Sequence, residues 1–139
     1  MKKYIGTKTI MAKPMAKSEA EKVLNRSLDD AKGGEDGYLV EYPDGYKSWS
    51  PKSVFEQAYK CADSFIDRLQ IEFSELAERL DSLDEFLSRG FDHVAEKVGY
   101  KQAAMLISQR MAMKAYFDML DTRIDDLKQS NNAPSQTQG

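Results

Sequence analysis

The chain holds a single cysteine, Cys61, and a single histidine, His93, among 139 residues. A lone thiol excludes an internal disulfide and a zinc site built on cysteines. A lone imidazole excludes multi-histidine metal centres. Neither residue has a partner at the spacing of a Ser-His, Cys-His or metal site. No dinucleotide-binding or Walker-type glycine loop is present, and Gly33-Gly34 reads as a turn or helix cap. No apolar run approaches the roughly 20 residues of a membrane-spanning helix. The start, Met1-Lys2-Lys3-Tyr4-Ile5-Gly6, is not followed by the apolar centre of a secretory leader. The expected compartment is therefore a reducing cytoplasm. Positive charge is in deficit: 20 Lys+Arg against 23 Asp+Glu leave a net charge of −3. Such a chain is poorly suited to coat duplex nucleic acid, where affinity comes from neutralised phosphates.

Hydrophobic residues make up 41%, enough for one modest core. Residues 4–11 are β-branched and aromatic and predict a strand, ended by Pro14. Ser18 with Glu21 forms a capping-box pattern, predicting a short helix from Glu19 to about Ala31, closed at Gly33-Gly34. Residues 38–42 and 46–49 flank Pro43-Asp44-Gly45, which predicts a hairpin with Tyr38, Val40 and Tyr42 on one face. Ser50 and Pro51 predict the cap and first residue of a long helix, with Trp49 and Val54 as a hydrophobic staple. Apolar residues then recur at steps of three and four from Phe55 to Leu87. That pattern reads as one helix of about 38 residues, about 57 Å long, with a kink possible near Gln70 to Ser74. A short helix spans Phe91 to Val98. A second long helix spans about Lys101 to Lys128, with a stripe at Ala103, Leu106/Ile107, Met113, Phe117, Leu120, Ile124 and Leu127.

The expected fold is α+β: a small N-terminal antiparallel β-sheet packed on a long C-terminal helical hairpin. Residues 1–50 form the β module with a short helical insertion, 51–128 the hairpin, and 129–139 a disordered tail. Helices of that length leave much apolar surface wet in a monomer, which predicts an oligomer, most simply a two-fold dimer.

Among candidates for chemistry, Cys61 reads as partly buried and structural, and His93 as a surface or hinge residue. The carboxylates between Asp63 and Glu85 follow a solvated helix face. Cations near the apolar stripes carry more information. Lys60 and Arg68 flank the first stripe, Arg110 and Lys114 lie four apart on the last helix, and Arg123 follows. Phe86 and Phe91 bracket the hinge at Arg89-Gly90. Rings and guanidinium groups at a hinge suit a planar base with an attached phosphate. On the other reading, the rings cap the hairpin core and the cations pair with Asp118 and Glu85. The five lysines of residues 1–17, with no acid among them, suit a solvated edge.

The strings Tyr4–Lys8 and Gly37–Lys52 resemble a module found in small phage proteins. Phe65–Leu69, Glu75–Leu80, Leu83 and Phe86, followed by Gln109, Met113, Tyr116, Leu120, Arg123 and Ile124, resemble the hairpin of phage signal sponges. The similarity is to the anti-Thoeris sponge family, whose hairpin is shared with anti-CBASS sponges. It covers residues 1–16 and 37–128. It implies a phage-encoded, non-catalytic binder acting in the host cytoplasm without a cofactor. Such proteins sequester cyclic ADP-ribose variants made by TIR-domain enzymes, and some hold cyclic oligonucleotides. It also implies dimers or higher oligomers with pockets between subunits. Phe86 matches the base-stacking aromatic, Arg110 and Lys114 the basic pair, and Lys60 a further basic position; Phe91 and Arg68 complete the candidate set. Lysine stands at 60 and 114 where arginine is expected, losing the planar fork. No asparagine lies between 61 and 128 to read a base. Two other roles fit a hairpin of this kind: a phage assembly protein using it for protein contacts, and a small phage regulator.

Overall fold

A computed structural model describes residues 1–29 and 34–132. The chain divides into two compact units, Met1–Lys60 and Cys61–Gly139.

The first unit is built on a three-stranded antiparallel sheet. Its strands are β1 (Met11–Pro14), β2 (Gly37–Glu41) and β3 (Lys47–Pro51), in the order β1-β2-β3. The hairpin forms where turn chemistry predicts it. The Tyr42 N–H donates to the Tyr46 carbonyl at 2.9 Å, and Gly45 sits at φ 88°, where glycine escapes steric cost. The first strand is displaced from the expected 4–11. Its pairing runs from Met11↔Glu41 to Pro14↔Tyr38. Beyond Glu41 the partner chain turns, so residues 4–10 have no ladder to join, and Met1–Thr9 are exposed.

Strand alternation separates two faces. Leu39 and Trp49, paired in register, bury themselves with Met15 and with Ala20 of α1 (Lys17–Leu24). The Trp49 indole N–H donates to the Met15 carbonyl at 2.8 Å. On the opposite face Val40 is buried, and the Tyr38 ring stacks on Phe55 of α2 (Lys52–Ala58) at 4.1 Å. Phe55 in turn stacks on Tyr59 at 5.2 Å.

Three local expectations give way here. α1 begins at Lys17 without a side-chain cap. The Ser18 N–H instead donates to the distant Glu35 carboxylate at 2.7 Å, and the Glu21 carboxylate accepts from the Leu28 N–H. The helix closes at Asn25, φ 53°, well before Gly33-Gly34; residues 30–33 lie outside the described ones. The Ser50 cap is also absent, because β3 continues through Pro51 and Ser50 pairs with Tyr38. With Trp49 turned toward α1, Val54 is left 55% exposed and no staple forms.

The expected 38-residue helix is two helices. α2 ends at Tyr59, which is extended, and α3 runs from Phe65 to Leu87. The break precedes the anticipated kink because Ser64 starts a new helix. Its hydroxyl accepts from the Asp67 N–H, and the Asp67 carboxylate accepts from the Ser64 N–H, both at 3.1 Å. Arg68 Nη1 donates to the Ala62 and Asp63 carbonyls at 3.2 Å. These bonds satisfy groups that an uninterrupted helix would have engaged.

The second unit comprises α3, α4 (Phe91–Val98) and α5 (Tyr100–Asn132). α3 and α5 pack through Leu69, Leu76, Leu120 and Ile124, and the Phe73 and Phe117 rings stack at 4.7 Å. α4 closes one end, burying Val94 and Ala95 against Ala103, with Phe86, Leu87 and Leu106 around them. Gly90 and Gly99, at φ 98° and 90°, form its two boundaries. The inward stripe of α5 is as expected, except that Ile107 is 43% exposed. α5 continues through Asn132, so 129–132 are helical rather than tail; 133–139 lie outside the described residues. Among the described residues no helix is long and apolar enough to cross a membrane.

Candidate functional site

α3 and α5 bring together part of the expected set. Arg110, on α5, meets Asp84 of α3 through a fork: Nε to Oδ1 at 2.7 Å and Nη2 to Oδ2 at 3.4 Å. The hydrogen bonds and charge of Arg110, with the charge of Lys114, hold the Asp84 carboxyl below its ordinary range; the same partner raises the Arg110 guanidinium. One turn further on, Lys114 Nζ bonds Asp118 at 2.7 Å and lies 5.2 Å from the Phe117 ring centre. Arg110 and Lys114 therefore lie along one flank of the α3–α5 pair, each engaged with a carboxylate.

Phe86, two residues beyond Asp84, is half-buried against the Val94–Ala95–Ala103 cluster. Phe91, across the turn at Arg89-Gly90, is 43% exposed, with its ring 6.0 Å from that of Tyr100. Phe86, Phe91 and Arg110 thus belong to the end of the helical unit closed by α4. Arg68 belongs to the other end, about 27 Å away along α3 at 1.5 Å per residue, where it holds loop carbonyls. Arg123 is at that end too, 6.0 Å from the Phe65 ring. Lys60 is exposed and belongs to the first unit.

Cys61, expected to be partly buried, is exposed; its thiol donates to Asp67 at 3.6 Å. Ser64 bonds keep the Asp67 carboxyl below its usual range, with help from Cys61 and Arg68. Asp84 was not singled out from sequence. Lys114–Asp118 is an i,i+4 pair and can be read along one helix. Arg110–Asp84 spans two helices, and their register is set by packing.

The first unit carries its own patch of rings and cations. Tyr42 and Tyr46 stack at 6.0 Å, Lys8 lies 4.7 Å over Tyr42, and Arg26 reaches the Tyr46 hydroxyl at 3.2 Å. Half-buried Tyr42 and exposed Tyr46 each already have a cation against the ring.

Charge is divided unevenly. The first unit has eleven cations and nine carboxylates, net +2, whereas the helical unit has nine and fourteen, net −5. The helical flank presents a guanidinium, an ammonium and a half-buried ring, both cations being engaged with carboxylates. Among the described residues no group of three or more His, Cys, Asp or Glu is placed to hold a metal ion. No curated protein and no solved structure matches the chain significantly. Residues 63–126 match the model of the Sequestin family. That span runs from the residue before the Ser64 cap to near the end of α5, so the helical unit bearing Phe86, Arg110 and Lys114 is the part of the chain that is similar to the Sequestin family, a binding and sequestering family.

Proposed function

We propose that the protein is a phage anti-defence sponge that captures a cyclic nucleotide immune signal in the host cytoplasm and holds it intact. Glycocyclic ADP-ribose is the first candidate ligand, and cyclic oligonucleotides are the second. The Sequestin match over the helical unit is the observation that carries this reading.

The chemistry of the flank supports it. Arg110 offers a planar fork to a phosphate, Lys114 a second cation, and Phe86 a ring against which a base can stack. Phe91 extends the aromatic edge. Arg68, at the other end of α3, enters the site only if a second copy delivers it, and Lys60 is a further candidate cation. Capture at nanomolar level requires about −12 kcal/mol, so a ligand with two phosphates and a base must be largely enclosed. Self-association, as a dimer or higher oligomer, supplies that enclosure.

The test is to heat the protein with and without a panel of cyclic nucleotides, then confirm hits by calorimetry. A ligand at 100 times its dissociation constant adds about 2.7 kcal/mol of stability. The released ligand should be chemically unchanged after heat denaturation. No stabilisation by any member of the panel would overturn the proposal, and so would recovery of a hydrolysed product.

A further inference from the structure

Lysines on an edge strand guard it against stray pairing, yet of the five near the start of the chain only Lys13 lies in a strand, β1. Lys17 opens α1. Lys2, Lys3 and Lys8 belong to the exposed lead, residues 1–9. Tyr4 and Ile5 beside them are 85% and 86% exposed. The first acid of the chain is Glu19, so no carboxylate within the lead offsets its charge.

The lead runs to an aromatic surface. Lys8 Nζ lies 4.7 Å over the Tyr42 ring, Tyr42 stacks on Tyr46 at 6.0 Å, and Arg26 Nη1 donates to the Tyr46 hydroxyl at 3.2 Å. Lys8, Tyr42, Pro43, Asp44 and Tyr46 line an open groove of about 500 Å³. The one acid among those five, Asp44, accepts from the Tyr46 N–H at 3.0 Å, which ties its carboxylate to the hairpin turn. Rings and cations that alternate along a track suit a single strand: bases stack on the rings and phosphates meet the cations. Tyr46 is 54% exposed, and Tyr4 is at most about 14 Å of chain from Lys8, within reach of the same strand. A cation over an exposed ring is held weakly, and a base stacks there more strongly. Lys8 can therefore leave Tyr42 to a base and take the adjoining phosphate. A duplex hides its base faces, and its affinity then rests on phosphates alone, for which the track is short.

We propose that the first unit carries a binding site for single-stranded nucleic acid, in which Tyr42 and Tyr46 stack bases and Lys8, Arg26 and the lysines of the lead hold phosphates. The site lies wholly within the first unit, whose net charge is +2. It is separate from the flank of the helical unit and does not depend on what that flank captures.

Fluorescence anisotropy of the full chain with a labelled oligothymidylate tests this. Binding should weaken with salt at a slope of about −2 in log K against log salt, as three lysine contacts to a single strand give. Lys8→Gln should make that slope shallower by about 0.7. Tyr46→Ala, and Tyr4→Ala in the exposed lead, should each weaken binding about five- to a hundredfold, the range of base stacking. Tyr4→Ala should leave circular dichroism unchanged. The oligomer annealed to its complement should bind more weakly. No binding at low salt overturns the proposal. So do equal affinity for the duplex, affinity unchanged by both tyrosine substitutions, displacement by an excess of cyclic nucleotide, and binding to phosphatidylserine vesicles without binding to the oligomer. Calorimetry of Tyr4→Ala with cyclic nucleotides reads the sponge function separately.

Discussion

Arg110 holds Asp84 through its Nε–Nη2 edge, so an incoming phosphate taken by the Nη1–Nη2 edge would lie close to the Asp84 charge. Asp84→Asn removes the competing charge, so a phosphate-bearing ligand should bind several-fold more tightly by calorimetry. The same variant should unfold more readily at neutral pH, because a carboxylate held below its usual range stabilises the fold in its ionised form. That contribution is present above the ordinary aspartate value of 3.8 and fades as pH falls through the depressed one. The gap in urea midpoint between wild type and Asp84→Asn should therefore be steady near neutrality and close in acid. The packing of Phe86 and its proposed stacking on a base can be separated. Phe86→Leu keeps an apolar side chain against Val94 and Ala103 but loses the ring face. It should weaken capture by about 1 to 3 kcal/mol, the range for base stacking, with little change in thermal midpoint. Unchanged affinity would reject stacking by Phe86.

Elements followed the sequence where their signals were local. The Pro43-Asp44-Gly45 hairpin and the inward stripe of α5 were readable because a turn and a 3.6-residue period need no distant partner. Trp49 shows the opposite case. Its spacing to Val54 suited a staple, yet sheet alternation turned the indole toward Met15 and α1. The break at residues 59–64 escaped notice because it has no glycine or proline, and its cap pairs Ser64 with an aspartate instead of the usual glutamate or glutamine. Ser64→Ala should cost about 1 kcal/mol, the usual value of an N-cap, measured by urea unfolding. Gly37 is restricted by packing: an added Cβ would fall on the Ser50 carbonyl and the Trp49 ring. Gly37→Ala should destabilise the sheet by about 1 to 3 kcal/mol, as overpacking does.

The two units of the molecule bury separate clusters of apolar residues. Differential scanning calorimetry should resolve two transitions, Gly37→Ala lowering one and Asp84→Asn the other. A single transition shifted equally by both would show that the units melt together. The sequence pattern disclosed the helical unit and its basic flank, but not which cations were committed. Arg68 serves the α2–α3 break, and Arg110 is held by a carboxylate on another helix; both facts depend on three-dimensional register. The excess of carboxylates on the helical unit has a kinetic consequence. On the proposed function, a dinucleotide-sized anion would approach a unit of net charge −5 that repels it at long range and would meet the Arg110 guanidinium only at contact. Added potassium chloride should therefore quicken association, whereas a polybasic trap would be slowed by it, and the proposed capture would owe its tightness to slow escape.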